Sequence, residues 1–396
     1  MTLPGAAARI PVLAAASFAT ATQSFVFAGM LGEMAHDLSV PVAQAGQLGT
    51  VFALAFGLSA PLVASLFARV PRRALIVGAL VVLALLNLLI VMVQSFPVLL
   101  GLRVLCGIAA AVVVPAASAT AAMLAPPEHR GRALAMVIAG TTAAFLFGIP
   151  MGSVVGEFFG WHGAFALAGA LALGAALLIR LVLPDVAVEA GAGRIGMEAL
   201  RNPGVAPTLA LTFLGFAAVF CFAAYIGPAV NRVSGLTGSG VAIMQMLVGV
   251  ASLAGVPVGG WLADRHGIRA AVFLPMGMFA MQLGQTALLA GAADGSAWAP
   301  YLQGFFILGT SFALFALAPI LQSRLVGLVP TARTVVLAGN ASALFLGQAA
   351  GAGVGGIGIA ILGLPGIGVM GATLSVAATA VAWHLRRVTP AVRAAA

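Results

Sequence analysis

The 396-residue chain contains no lysine, only two cysteines and few charges of any kind: Asp, Glu, Lys and Arg together make up 7% of it. A soluble domain carries about 25%. So few charges cannot cover a water-facing surface, so the chain reads as an integral membrane protein. Cys106 and Cys221 both fall inside apolar runs, which argues against a disulfide framework and leaves them as small packing residues. Nine acidic residues against eighteen arginines give a net charge of +9. That balance would suit nucleic acid, but the arginines form no basic face with interleaved aromatics. They sit in short clusters between apolar runs, where lipid headgroups are the anionic surface they meet. The histidines (His36, His129, His162, His266, His384) all lie at the ends of such runs and form no metal-binding cluster. No metal, cofactor or nucleic-acid partner is expected.

What is abundant is apolar. Hydrophobic residues make up 62% of the chain, and there are 50 glycines, as expected where membrane helices approach closely. Apolar runs of about 20 residues recur, the length that crosses a ~30 Å hydrocarbon layer at 1.5 Å per residue. They fall at 10–32, 45–67, 74–94, 98–122, 134–156, 163–183, 205–228, 241–263, 270–291, 298–322, 335–360 and 366–385. Each should be helical, because a bilayer offers its backbone groups no water. The first run is too long for a signal peptide and is read as an uncleaved span.

Twelve spans with the N-terminus inside place Arg9, Arg69, Arg72, Arg73, Arg130, Arg132, Arg180, Arg194, Arg201, Arg265, Arg269, Arg324, Arg333, Arg386, Arg387 and Arg393 on one side. Arg232 alone falls on the other, and Arg103 lies within the fourth span. That asymmetry predicts cytoplasmic termini. The opposite loops hold Glu33, Asp37, Glu157 and Asp294.

The longest break, Pro184–Gly204, follows the sixth span. It divides the chain into a six-helix bundle at 1–183, a cytoplasmic linker at 184–204, with a short surface helix expected around Gly196–Arg201, and a second six-helix bundle at 205–396. The halves repeat. Gly140–Gly148, with Gly152 beyond, matches Gly339–Gly347, with Gly351 beyond, and the break at Ala64–Arg73 matches Gly260–Arg269 at nearly the same offset. Two matches in one register point to a duplicated unit.

Four features carry chemistry. The loop Gly260-x-x-x-Asp264-Arg265-x-Gly267-x-Arg269 gathers an acid, two arginines and a turn glycine; its glycines permit close packing and a turn, and Asp264 can face a helix N-terminus or pair with an arginine. Its first-half copy has Ala68 in place of the aspartate and Pro71 in place of the glycine. In the fifth span, Gly140, Gly148, Pro150 and Gly152 allow bending and close packing against a neighbour. Arg103, in Leu100-x-x-Arg103-x-x-x-Gly107, is the only clear charge inside a span. It is functional by default, or a snorkelling side chain, since it lies about one turn from the end. No acid lies at mid-depth in any span; Glu33 is the best remaining carboxylate, with plain solvation in an outer loop as the alternative.

The loop motif, the fifth-span glycines, the fourth-span arginine and the two six-span halves resemble the major facilitator superfamily, over essentially the whole chain. The details, including Arg130-Gly131-Arg132-Ala133, are most similar to its drug–proton antiporter and arabinose-efflux-permease-like branch. The resemblance implies an all-α membrane fold of twelve helices in two pseudosymmetric bundles, in a bacterial inner membrane, functioning as a monomer on a small-molecule substrate. It implies that Gly260, Asp264, Arg265, Gly267 and Arg269 latch a cytoplasmic gate, with Asp264 near Arg130, Arg132 and Ala133. It links Arg103 to proton transfer. Gln23, Ser24, Tyr225 and Gln303 fall in spans that line the family's cavity, with Phe220, Phe222 and Phe312 nearby, which predicts a mostly neutral or amphipathic substrate.

Export by alternating access, with protons as a candidate coupled ion and Glu33 as their candidate carrier, is the reading this supports. Relatives often carry a glutamate ahead of Phe-Val in the first span, where this chain has Gln23 and Ser24 before Phe25-Val26. An uptake facilitator or symporter is the alternative within the fold. A polytopic membrane enzyme is disfavoured, because the chain has no His-Glu-x-x-His, Gly-x-Ser-x-Gly or nucleotide-binding glycine loop. A sensor is disfavoured because little chain follows the last span.

Overall fold

The computed structural model describes residues 9–67, 70–126, 129–184, 202–329 and 332–394. Ala68 and Arg69 of the first-half loop lie outside these residues, as does 185–201, which holds most of the expected linker and its surface helix.

The described chain is built of helices. The first span is α1 (Pro11–Phe25), a 3₁₀ turn at Ala28–Met30 and α2 (Leu31–Asp37). Next come α3 (Val42–Ala45), α4 (Gln47–Leu66), α5 (Arg72–Val91), α6 (Phe96–Leu124), α7 (Arg130–Ala143) and, beyond a π-helical turn at Ala144–Gly148, α8 (Ile149–Val182). The second half comprises α9 (Val205–Ala223), α10 (Ile226–Ser234), α11 (Gly238–His266), α12 (Phe273–Leu289), α13 (Ala299–Leu328), α14 (Arg333–Leu362) and α15 (Pro365–Ala394).

Among the described residues, ten continuous helical stretches are long and apolar enough to cross a membrane. Two of them, Arg130–Val182 and Gly238–Leu289, have 53 and 52 residues, more than twice the ~20 that one crossing needs. Both turn back on a glycine of positive φ: Gly160 at +67° and Gly267 at +55°. That is consistent with twelve crossings. On α4 one helical face, Leu54, Leu58, Leu62 and Leu66, stays 43–76% exposed. In water such a stripe would be a liability; facing lipid tails it is what a span requires.

The contacts divide the chain into two compact units, and the division does not simply follow the sequence. The first unit comprises Met1–Val40, Val51–Arg194 and Thr237–Gly249. The second comprises Pro41–Thr50, Ile195–Leu236 and Val250–Ala396. Each therefore keeps one short segment that the order of spans would give to the other.

In the first unit α1 packs along α7 and α8 through a glycine seam. A Cβ at Gly140, Gly148, Gly152 or Gly156 would run into Ala14, Thr22, Val26 or Met30 respectively. The partners advance in step along both segments, as two parallel helices in register do. In the second unit Gly347, Gly351 and Gly355 of α14 press in the same way on the backbones of Phe213, Ala217 and Cys221 in α9. These three glycines are the sequence repeats of Gly148, Gly152 and Gly156, so the duplicated motif allows close helix packing twice, by receiving neighbouring side chains in the first unit and neighbouring backbone in the second. The turns that follow match too. Gly160 has φ 67°, ψ 175° and Gly363 has φ 69°, ψ −165°, a region open essentially to glycine alone.

Candidate functional site

Arg103, in the N-terminal third of α6, is fully buried. Its Nη1 donates to the Gln23 carbonyl at 3.1 Å and its Nη2 to the Ser24 carbonyl at 3.0 Å. The guanidinium also lies 4.5 Å from the ring centre of Phe52, 5.0 Å from that of Phe27 and 5.9 Å from that of Phe165. The two carbonyls belong to the last turn of α1, which ends at Phe25. A helix leaves its final carbonyls unbonded and its C-terminal end partially negative. Arg103 thus caps a break in the first span, and the electron-rich ring faces add to the attraction. This explains how a cation can lie buried, and it excludes the snorkelling placement.

Gln23 and Ser24 converge on this cap through their backbones. The Gln23 side chain accepts from Asn87 Nδ2 at 3.4 Å, and Ser24 Oγ donates to the Thr20 carbonyl at 2.7 Å. Gln23 Nε2 and Asn87 Oδ1 are buried without a hydrogen-bond partner. That is an exception to the usual pairing of buried polar groups.

In the second unit Tyr225 and Gln303 are likewise fully buried. Tyr225 Oη donates to the Ala352 carbonyl at 2.9 Å, and its ring occupies the space left by Gly46 and Gly356. Gln303 Nε2 donates to the Ala229 carbonyl at 3.0 Å, leaving its Oε1 unpartnered. Both side chains serve as helix–helix contacts in this conformation. Phe220 and Phe222 are buried as well. A narrow cleft, with room for little more than a single water, lies elsewhere in this unit, between α9, α13 and α14. Phe216, Leu314 and Leu317 form its apolar wall and Thr212 and Asn340 its polar edge, where Thr212 Oγ1 donates to Asn340 Oδ1 at 2.7 Å. One turn away Arg324 Nε donates to Thr208 Oγ1 at 3.2 Å.

The charged loop lies at the end of α11. Asp264, Arg265, His266 and Arg269 are exposed, and Asp264 makes no ion pair among the described residues. Arg265 stacks over Trp261 at 5.6 Å. Gly267 supplies the left-handed turn expected of it. The close approach expected of Gly260 falls one residue earlier: a Cβ at Gly259 would strike the Ala316 backbone, whereas at Gly260 nothing stands within 4 Å. Of the fifth-span motif, Gly140, Gly148 and Gly152 form the seam described above, and Pro150 opens α8 directly after the π-helical turn.

Glu33 is exposed on α2, near the turn at Gly160, where an added Cβ would stand 3.5 Å from its Oε1. Beside it Trp161 donates from Nε1 to Asp37 at 3.1 Å and stacks on His162 at 3.6 Å. Arg232 is held bidentately by Asp294 at 3.1 and 3.0 Å. The hydrogen bonds from Arg232 keep the Asp294 carboxyl below its ordinary range.

Sequence reading missed two contacts of the first unit. Ser153 Oγ donates to Gln245 Oε1 at 2.8 Å, and the Ser239 N–H donates to Glu157 Oε2 at 2.8 Å. Hydropathy ranks such residues as isolated polar interruptions, and nothing in their spacing pairs them.

Two repeated helical units with apolar outer faces, glycine seams inside and a buried cation capping a broken span define a polytopic membrane protein of secondary-transporter architecture. The chain belongs to the Major Facilitator Superfamily, whose family model matches residues 13–333. It is 28% identical over 376 residues to the MFS-type transporter YbcL of Bacillus subtilis (strain 168), covering 94% of each chain. It is 35% identical over 260 residues to a chloramphenicol resistance protein of Streptomyces lividans, covering 64% of this chain and 66% of that one. Among solved structures, a bacterial homologue of the human lysosomal transporter Spinster, in an inward-facing and occupied conformation, superposes with a TM-score of 0.78 at 18% identity, covering 98% of both chains. The human organic anion transporter MFSD10 superposes at 0.65 and 17% identity, covering 95% of this chain and 99% of that one. These likenesses establish the fold.

Proposed function

We propose that the protein is a secondary active transporter that exports a small, mostly neutral or amphipathic compound from the bacterial cytoplasm by alternating access, with both termini cytoplasmic. The observation that carries this reading is the glycine seam of the fifth span against the first. Glycines along one face let two spans approach closely: in the first unit they receive the Thr22, Val26 and Met30 side chains, and their repeats in the second unit meet the backbones of Phe213, Ala217 and Cys221. The likeness to a chloramphenicol resistance protein favours export and a neutral amphiphile. The lack of any acid at mid-depth disfavours strongly cationic substrates, which would need a buried counter-charge.

In this reading Asp264, with Gly260, Arg265, Gly267 and Arg269, latches the cytoplasmic closure. Proton antiport is the coupling considered, with Glu33 as the carboxylate that could titrate from the outer side. A ligand-induced thermal-shift screen of the purified protein at two pH values tests the substrate class. At least one neutral amphiphile, chloramphenicol among those tried, should raise the melting temperature, and multivalent organic cations should not. Stabilisation by cations alone would refute the proposed class.

A further inference from the structure

We propose that Glu157 is a second latch, at the end of α11 opposite Asp264, and that its release from α11 is a step in opening the transporter to the outside. The proposal rests on the alternating-access reading above.

Helix α11 is divided between the units: Thr237–Gly249 belongs to the first and Val250 onward to the second. Three contacts fasten the first segment to the fifth span. At its tip the Ser239 N–H, in the first turn of α11, donates to Glu157 Oε2 at 2.8 Å. Further along, Gln245 Oε1 accepts from Ser153 Oγ at 2.8 Å. Beyond that, Gly249 lies against the backbone of Leu146, close enough that any Cβ would collide. The partners descend on one helix as they ascend on the other, so this is a single antiparallel seam.

Glu157 differs in kind from the other two fasteners. It places a carboxylate on an unbonded backbone N–H at the positive end of a 29-residue helix, which is a charge-assisted cap. Gly238 makes the approach possible: its φ is +41°, and a Cβ there would run into the carboxylate.

The repeat shows that the device is specific to one half. The counterpart of Glu157 in the eleventh span is Gly356, which meets the backbone of Ala43 in the segment Pro41–Thr50 and offers no charge. The cytoplasmic loops show the same asymmetry, with Asp264 in the second half and Ala68 in the first. Both anionic fasteners therefore act on α11, one at each end.

Ala242 lies in the fastened segment and is 4% exposed. With Cys106 and Cys221 replaced by alanine, a cysteine at Ala242→Cys can be labelled from outside by a membrane-impermeant maleimide. Glu157→Ala should raise the labelling rate about five-fold, the scale on which loss of an N-terminal cap acts. Glu157→Gln, which keeps an acceptor without the charge, should raise it less, and Gly238→Ala should raise it by displacing the carboxylate. Unchanged labelling in Glu157→Ala and Glu157→Gln proteins would overturn the proposal. The assay needs no substrate, so failure to find an exported compound would refute the export reading without altering this result.

Discussion

The Arg103 guanidinium and the Gln23 carbonyl meet at 3.1 Å, inside the unit that contains the first span. The contact sets a cation against the end of a helix, and it makes Arg103 the fixed point around which the broken first span is held. Lysine cannot reproduce this arrangement, since a point charge on a flexible stem does not fork between two carbonyls while stacking on rings. Arg103→Lys should lose one charged hydrogen bond, about 1.5–3 kcal/mol, seen as a lower melting temperature of the purified protein. Arg103→Ala should cost more, because both carbonyls and the aromatic pocket are then left empty. Equal melting of wild type and Arg103→Lys would contradict the cap.

The glycine seams predict a pattern of tolerance that sequence motifs alone do not. Gly148→Val and its repeat Gly347→Val should each abolish recovery of monodisperse protein, because the new side chains meet Thr22 and the Phe213 carbonyl. Gly260→Ala should be neutral or stabilising by up to about 1 kcal/mol, the intrinsic helix gain of alanine over glycine, since nothing stands within 4 Å of its Cβ. Gly259→Ala should destabilise by forcing Ala316 away. Yield and thermal melting of the four variants check this.

The helices themselves were legible in the sequence. The expected span 98–122 is the helix Phe96–Leu124, and 335–360 is Arg333–Leu362, because hydropathy reports length directly. Rotation about the helix axis was not legible. Apolar spans facing lipid on one side and protein on the other carry little amphipathic signal, so the close contact was placed on Gly260 rather than Gly259. Arg103 was recognised, but its partners are backbone carbonyls and ring faces, which leave no complementary charge to find. The Glu157–Ser239 contact was invisible for the same reason, since a backbone N–H has no sequence signature.

Asp264→Asn should lower transport several-fold while leaving yield and melting unchanged. Asp264 is exposed and makes no ion pair among the described residues, so removing its charge costs the resting fold little. Its proposed role belongs to another conformation. A large fall in melting temperature would make it a structural residue and contradict the latch.

The pair Arg232–Asp294 sets a pH dependence whose sign is determined. The folded carboxyl titrates below its ordinary value because Arg232 donates to it. Its contribution to stability is therefore present above the ordinary aspartate pKa of about 3.9 and is lost as pH falls through the lower folded value. Both groups are exposed, so the effect is small and screened by salt. Melting of wild type should exceed that of Asp294→Asn slightly at pH 6 in low salt. The difference should shrink as pH falls below the ordinary aspartate value and in high salt, and one that grows on acidification would have the wrong sign.

Accumulation of a labelled neutral amphiphile such as chloramphenicol, in bacterial cells lacking their own efflux pumps, tests the central claim most directly. Export predicts lower steady-state accumulation in cells producing the wild-type protein than in empty cells, with the difference largely erased by Asp264→Asn at equal protein level. Higher accumulation on expression would show uptake and contradict the account.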